Sequence, residues 1–305
     1  MELLSSDPRT IAPISKMVWL SDDLRDKWSK RLSFGSKLTN DLELMSLKHD
    51  LRKCAIRNIR TRDFSEVSSD LKKKYGVIAM PLSVVKMPNV IFAHYHQPSS
   101  LNDPDSLLHC VLSKDPYYLF EYQKAYKESD HIKMGSLLGY PSCCCKFFQE
   151  LYPKGYIDPV WHAALRSEHS KHDLSDGYLV KVNKWFIFSN PIARYLGLRF
   201  SFHITCSFSC HDSIVFGMKL KDLARSMGKD TSWYEEVCYS SYWDCYKGVA
   251  VIGFPAIGLF LCSSSNMSKH RHVVYLDDGM VNSDFFHEMR SRSMITNEPK
   301  VCVER

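Results

Sequence analysis

Gly139-Tyr140-Pro141-Ser142-Cys143-Cys144-Cys145 is the stretch around which the chain organises itself. A glycine two residues before a proline makes a turn, and the fixed φ of proline suits the first turn of a helix. The pattern predicts a short helix that runs through the cysteines to about Leu151. Upstream, Asp115-Pro116 places an acid at a helix cap and a proline in the first turn. Tyr118, Tyr122, Ala125 and Tyr126 follow at helical spacing, and that helix is expected to end before or near Gly135. Downstream, Asp158-Pro159 opens another helix with Trp161, Ala164 and Leu165, and Arg199 to Thr205 reads as a strand. A second ligand-rich segment, His203-x-x-Cys206-x-x-x-Cys210, precedes an amphipathic helix. Phe216, Leu220, Leu223 and Met227 share one face of it, and Gly228 ends it.

Further out, the N-terminal part reads as helical and polar. Ser21 is a candidate cap for a helix with Leu24, Trp28 and Leu32 on one face, and Leu44, Leu47, Leu51 and Cys54 repeat at the same spacing. The most basic stretch, Lys48 to Arg62, reads as a solvated helix face, with nucleic-acid contact as the alternative. From Gly76 the character changes. Val77-Ile78-Ala79-Met80 and Val90-Ile91-Phe92-Ala93 read as buried strands. The longest apolar run, Gly248 to Cys262, holds Gly253, Pro255 and Gly258. It is too short to span a bilayer and reads as two buried strands broken near Pro255, with a further strand at Val273–Leu276. The predicted class is α+β, a mixed sheet with several helices and a metal site between helix N-termini and strand ends. The expected divisions are a helical segment 1–75, a metal-binding core 76–295 and a loose tail 296–305. No internal repeat or low-complexity segment is present.

The chain has 305 residues, 45% apolar and 24% charged, enough for one large domain or two closely joined ones. A net charge of +6, spread along the chain, permits an anionic partner without requiring one. Met1-Glu2-Leu3-Leu4-Ser5-Ser6-Asp7 carries an early acid and no apolar core region, so no secretory signal is read there. The expectation is a reducing, cytoplasmic setting with no membrane contact. In that setting 11 cysteines point to metal or catalysis more than to disulfides.

Five of those cysteines sit in the two short clusters. Near a helix N-terminus the partial positive charge favours thiolate over thiol. Cys143, Cys144, Cys206 and Cys210 are the expected ligands, with Cys145 or His203 as substitutes for one of them. Neighbouring cysteines point apart on a regular helix and suit the several corners of an iron–sulphur cluster, whereas zinc ligands are usually spaced by two or more residues. The predicted cofactor is therefore an iron–sulphur cluster of the 4Fe-4S type, with zinc as the alternative. The rival reading is that these cysteines are small buried hydrophobes. Cys54, Cys110, Cys238, Cys245, Cys262 and Cys302 are assigned to packing. His94 and His96 alternate at a strand end and share a face, as ligands or as an acid/base pair. His270 and His272 have the same spacing in a more exposed setting. Asp130-His131 is expected near a helix C-terminus, stabilised by the dipole, with a general base or a hydrogen bond behind the cysteines as the alternative.

The stretch Gly135-Ser136-Leu137-Leu138-Gly139-Tyr140-Pro141-Ser142-Cys143-Cys144, followed by His203-Ile204-Thr205-Cys206-Ser207-Phe208-Ser209-Cys210, resembles a conserved domain family of unknown function with the pattern G-x-L-L-G-Y-P-x-C-C and then H-x-x-C-x-x-x-C. An upstream H-Y-H, here His94-Tyr95-His96, is similar too. The resemblance covers roughly residues 76 to 228, leaves Cys145 outside the pattern, and implies no particular activity. Adjacent cysteines also ligate clusters in heterodisulphide-reductase-like proteins, but the C-x-x-C that follows there is missing here.

No dinucleotide fingerprint, phosphate loop, H-E-x-x-H, G-x-S-x-G or C-x₃-C-x₂-C occurs. The leading expectation is a metal-dependent enzyme that performs redox, Lewis-acid or sulphur chemistry on a small-molecule substrate. His94, His96 and His203 would line its pocket as catalytic residues. The alternatives are a zinc- or cluster-stapled module that binds RNA or protein, and a metal-free thiol redox protein. Oligomeric state is not encoded in any of these signals.

Overall fold

The computed structural model describes residues 22–86, 97–151 and 200–233, with shorter stretches at 15–18, 162–163, 165–167, 171–173, 179–182, 188–189, 241–244, 249–254, 258–263 and 272–275. In chain order the elements are β1 (Ser15–Val18), α1 (Asp22–Lys48), β2 (Ala55–Arg60), α2 (Phe64–Tyr75), β3 (Ile78–Lys86), β4 (Gln97–Pro98), β5 (Leu107–Ser113), α3 (Pro116–Lys127), α4 (His131–Leu137), α5 (Ser142–Leu151), β6 (Lys171–Asp173), β7 (Leu179–Val182), α6 (His211–Ser226), β8 (Ser241–Asp244), β9 (Val249–Phe254), β10 (Gly258–Ser263) and β11 (His272–Tyr275). The class is α+β.

Two sheets carry the strands. A four-stranded antiparallel sheet has the order β2-β5-β3-β4. A seven-stranded sheet has the order β1-β10-β9-β8-β11-β7-β6, and it is mixed because β11 runs parallel to β7 while its other pairs are antiparallel. Within the Gly248–Cys262 run, β9 and β10 pair antiparallel, with Phe254 opposite Gly258. Among the described residues no helix is long and apolar enough to cross a membrane.

β5 is the spine of the smaller sheet, and all of its residues are buried. Leu108, Cys110 and Leu112 pack with Leu44 and Leu47 of α1 and Leu71 of α2. Val111 faces the other way, onto Leu119 and Tyr122 of α3 and Leu137 of α4. Alternate residues thus feed two separate cores. Asp115 caps α3 as its sequence predicts, accepting a hydrogen bond from the Tyr117 N–H at 2.8 Å.

Several expectations are corrected. The helix beginning at Pro116 stops at Lys127, and a second helix restarts at His131. Ser129 takes a positive φ of 55°, and the Asp130 carboxylate accepts from the Lys133 N–H at 2.8 Å. Asp130-His131 therefore opens a helix instead of closing one, and the dipole argument for a stabilised imidazolium reverses. Burial pushes the His131 pKa down. Lys48–Arg62 is not one solvated helix face. It contains the end of α1, a turn with the buried Arg52, and β2. Segment 1–75 is not purely helical, since β1 pairs with β10 and β2 with β5. Residues 200–205 form bends and no strand. The predicted strand Val90–Ala93, His94 and His96, the helix start at Asp158-Pro159, His270 and the tail 296–305 lie outside the described residues.

The turn into α5 is set by a close approach. Gly139 has φ +73°, and a Cβ there would lie 2.7 Å from the Cβ of Arg52. Both the left-handed backbone and the missing methylene are needed at this point. Gly139→Ala is expected to destabilise the protein by about 2 kcal/mol or more, from backbone strain plus overpacking. The urea-unfolding midpoint measures it, and an unchanged midpoint would mean that Arg52 does not pack here.

Candidate metal centre

Two helix starts deliver the thiols. The Pro141 carbonyl accepts from the N–H groups of Cys144 and Cys145, both at 3.0 Å, which opens α5 directly at the cysteines. Cys210 is the N-cap residue of α6, and its carbonyl accepts from the Ile214 N–H at 3.0 Å. Cys206 comes from the intervening loop. The ligand atoms of Cys143, Cys144, Cys206 and Cys210 all lie within 4.8 Å of one another. Cys143 and Cys144 are 3.9 Å apart, and each is 3.7 Å from Cys210. The neighbouring cysteines converge because the first helical turn lets both side chains reach the same point. That removes the steric objection to their sharing one ion.

The loop 200–210 is held from behind by hydroxyls. The Phe208 N–H donates to Ser167 Oγ at 2.9 Å, the Thr205 hydroxyl donates to the Ser189 carbonyl at 2.9 Å, and the Ser189 hydroxyl donates to the Phe208 carbonyl. Its front is fixed by Tyr140, whose hydroxyl donates to the Phe202 carbonyl at 3.3 Å and whose ring lies 5.0 Å from that of His203. The buried Arg52 places its guanidinium 4.6 Å from the centre of the Phe202 ring. It donates to Ser46 Oγ at 2.7 Å and pairs with Glu43 at 3.3 Å. One arginine thus touches the end of α1, the Gly139 turn and the loop that carries His203.

Cys144 and Cys210 are buried, whereas Cys143 and Cys206 are half-buried and form the mouth. The Cys206 N–H donates to Cys144 Sγ at 3.3 Å, and the Asp212 carboxylate lies 3.8 Å from Cys143 Sγ on the solvent side. The sulphurs share protons at these distances. Hydrogen bonds from Cys144 and Cys206, and then from Ser213, hold Cys210 far below the ordinary thiol range. Cys144 is pushed far up, by its hydrogen bonds to Cys206 and Cys210 and by burial. Burial and the neighbouring Cys210 raise Cys143 as well. A divalent cation among the four sulphurs would stabilise their thiolate forms.

His203 is brought to the cluster but stands one atom back from it. Its Nε2 lies 2.8 Å from Ser213 Oγ, which in turn is 3.3 Å from Cys144 Sγ and 3.2 Å from Cys210 Sγ. Burial pushes the His203 pKa down to about 4, against the opposing charge of Cys210, so the ring is neutral near pH 7. Ser213 is the residue that sequence reasoning missed. The available signal was a hydroxyl three residues after Cys210, on the same face of a first helical turn. Asp212, at the exposed edge, was missed as well.

Cys145 points elsewhere. Its sulphur donates to the Tyr140 carbonyl at 3.7 Å and fills the space above Gly135, where a Cβ would lie only 2.4 Å from it. Burial raises its pKa to about 11. Cys54 and Cys110 are buried packing residues, each raised to about 12 by burial. No protein-family model, curated protein or solved structure matches the chain.

Two predictions separate Cys145 from the four. Gly135→Ala should destabilise the protein by about 1–3 kcal/mol through overpacking. In the double variant with Cys145→Ala the two costs should be less than additive, because the colliding sulphur is gone. Additive costs in urea unfolding would contradict this packing. Cys145→Ala should also leave the bound metal content unchanged.

Proposed function

We propose that Cys143, Cys144, Cys206 and Cys210 hold a single tetrahedral metal ion, zinc, and that the protein is a zinc-stapled binding module. The observation that carries this reading is the sulphur spacing. A Zn–S bond of about 2.3 Å sets neighbouring sulphurs of a tetrahedron about 3.8 Å apart. The sulphurs of Cys143, Cys144 and Cys210, at 3.7, 3.7 and 3.9 Å, match that edge, and Cys206 Sγ lies within 4.8 Å of all three. A multi-iron cluster inserts iron and sulphide atoms between its thiolates and needs them wider apart, so the spacing favours zinc over the cluster expected from the adjacent cysteines. Four thiolates also fill the tetrahedron and leave no position for substrate, as in structural zinc sites. The ion would fasten the 206–210 loop and α6 to α5, two parts of the chain more than sixty residues apart.

An iron–sulphur enzyme is the competing reading. The two helix N-termini and the Cys206 N–H on Cys144 Sγ would also suit anionic cluster sulphurs. His203 would then serve the pocket, with a small-molecule substrate. The motif G-Y-P-x-C-C with H-x-x-C-x-x-x-C is proposed to be a metal-binding signature in either case.

Metal and acid-labile sulphide analysis of the anaerobically purified protein decides between them. One zinc per chain, no sulphide and no visible absorption are expected. Cys144→Ala should lose the zinc, and a strong chelator should lower the melting temperature of the unaltered protein. Iron with sulphide would replace the zinc reading by the cluster reading. A metal-free protein with titratable thiols would sink both and leave thiol redox chemistry.

A further inference from the structure

We infer that His203 and Ser213, with Ser201 behind them, form a one-way hydrogen-bond relay that ends on the Cys210 thiolate beside Cys144, so that His203 positions Ser213 as a donor to the metal centre and is not itself a ligand. The inference rests on the metal reading above for its effect on the ion, but its geometry stands independently.

The direction of the relay follows from counting protons. A metal-bound thiolate is an acceptor only. Ser213 has one hydroxyl proton, is fully buried, and has three polar neighbours: Cys210 Sγ at 3.2 Å, Cys144 Sγ at 3.3 Å and His203 Nε2 at 2.8 Å. If that proton serves a sulphur, the Ser213 oxygen must accept from His203, and Nε2 must carry the hydrogen. A neutral imidazole has only one N–H, so Nδ1 is then a bare acceptor. It faces Ser201 Oγ at 3.2 Å, a hydroxyl whose one proton can go either to Nδ1 or to the His203 carbonyl at 3.3 Å. His203 and Ser213 each give their proton toward the centre, and Ser201 stands behind Nδ1. The opposite sense would point the Ser213 proton at the imidazole and leave two thiolates facing an oxygen lone pair.

The relay has a chemical consequence. A hydrogen bond to a metal-bound thiolate withdraws electron density from sulphur and weakens its donation to the metal. His203, by fixing the Ser213 rotamer, makes that effect permanent. Direct ligation by His203 Nε2 would require breaking its 2.8 Å bond to Ser213.

The test uses the full chain with cobalt(II) in place of zinc, together with nitrogen NMR of the zinc protein. Ser213→Ala and His203→Leu should each move the thiolate-to-cobalt charge-transfer bands to lower energy. His203→Gln, whose amide N–H reaches the position of Nε2, should restore the bands of the unaltered protein. A merely structural residue would not show that rescue. The nitrogen spectrum of His203 should show a protonated Nε2 and a bare Nδ1. Unchanged bands in both Ser213→Ala and His203→Leu would overturn the inference, and so would a protonated Nδ1. Should Ser213→Ala fail to fold, the two His203 variants and the tautomer decide. If the unaltered protein takes up no cobalt, the metal reading fails, and the tautomer alone judges the relay.

Discussion

Four cysteine sulphurs gathered within 4.8 Å set the terms for the rest of this structure. Thiolates at such distances repel one another strongly, and half of them are buried. Neutral thiols could sit together, but two helix N-termini, a backbone N–H and a buried hydroxyl all favour negative charge at the same point. A cation among the four sulphurs would satisfy both tendencies. It would screen the thiolates from each other and balance the charge that the surrounding donors stabilise. Most of the surrounding architecture serves to bring two distant pieces of chain to that spot and keep them there.

The supports differ on the two sides. On the α5 side they are steric: Gly139 admits Arg52, and Gly135 admits the sulphur of Cys145. On the 200–210 side they are polar, with buried hydroxyls of Ser167, Ser189 and Thr205 holding an irregular loop that has no strand ladder to satisfy its backbone. Arg52 and Tyr140 join the sides through Phe202. Several residues of the 135–144 and 203–210 stretches have a physical task in this arrangement. The glycines make room, Tyr140 ties down the loop, Pro141 opens the helix, and His203 holds Ser213.

What the sequence revealed was local. Asp115-Pro116 announces α3 and Pro141 announces α5, because capping and proline chemistry act within a few residues. The β9–β10 pair shows as one apolar run with a break. β5 escaped because a strand buried on both faces has no alternation to read. The break between α3 and α4 escaped because Ser129 gives no glycine or proline signal at its left-handed position. The cysteine clusters were visible as a composition, but their spacing was not. Whether neighbouring cysteines diverge or converge depends on the first turn of α5 meeting Cys210 across the fold. The proposal of a single ion in place of a multi-iron cluster rests on that long-range packing, as does the inferred role of Ser213.

X-ray absorption at the metal edge of the purified protein tests the central claim most directly. A single shell of four sulphurs at about 2.3 Å around zinc, with no metal–metal distance, is the predicted result. An iron edge with a short iron–iron vector would contradict it, as would a shell in which an imidazole nitrogen replaces one of the sulphurs.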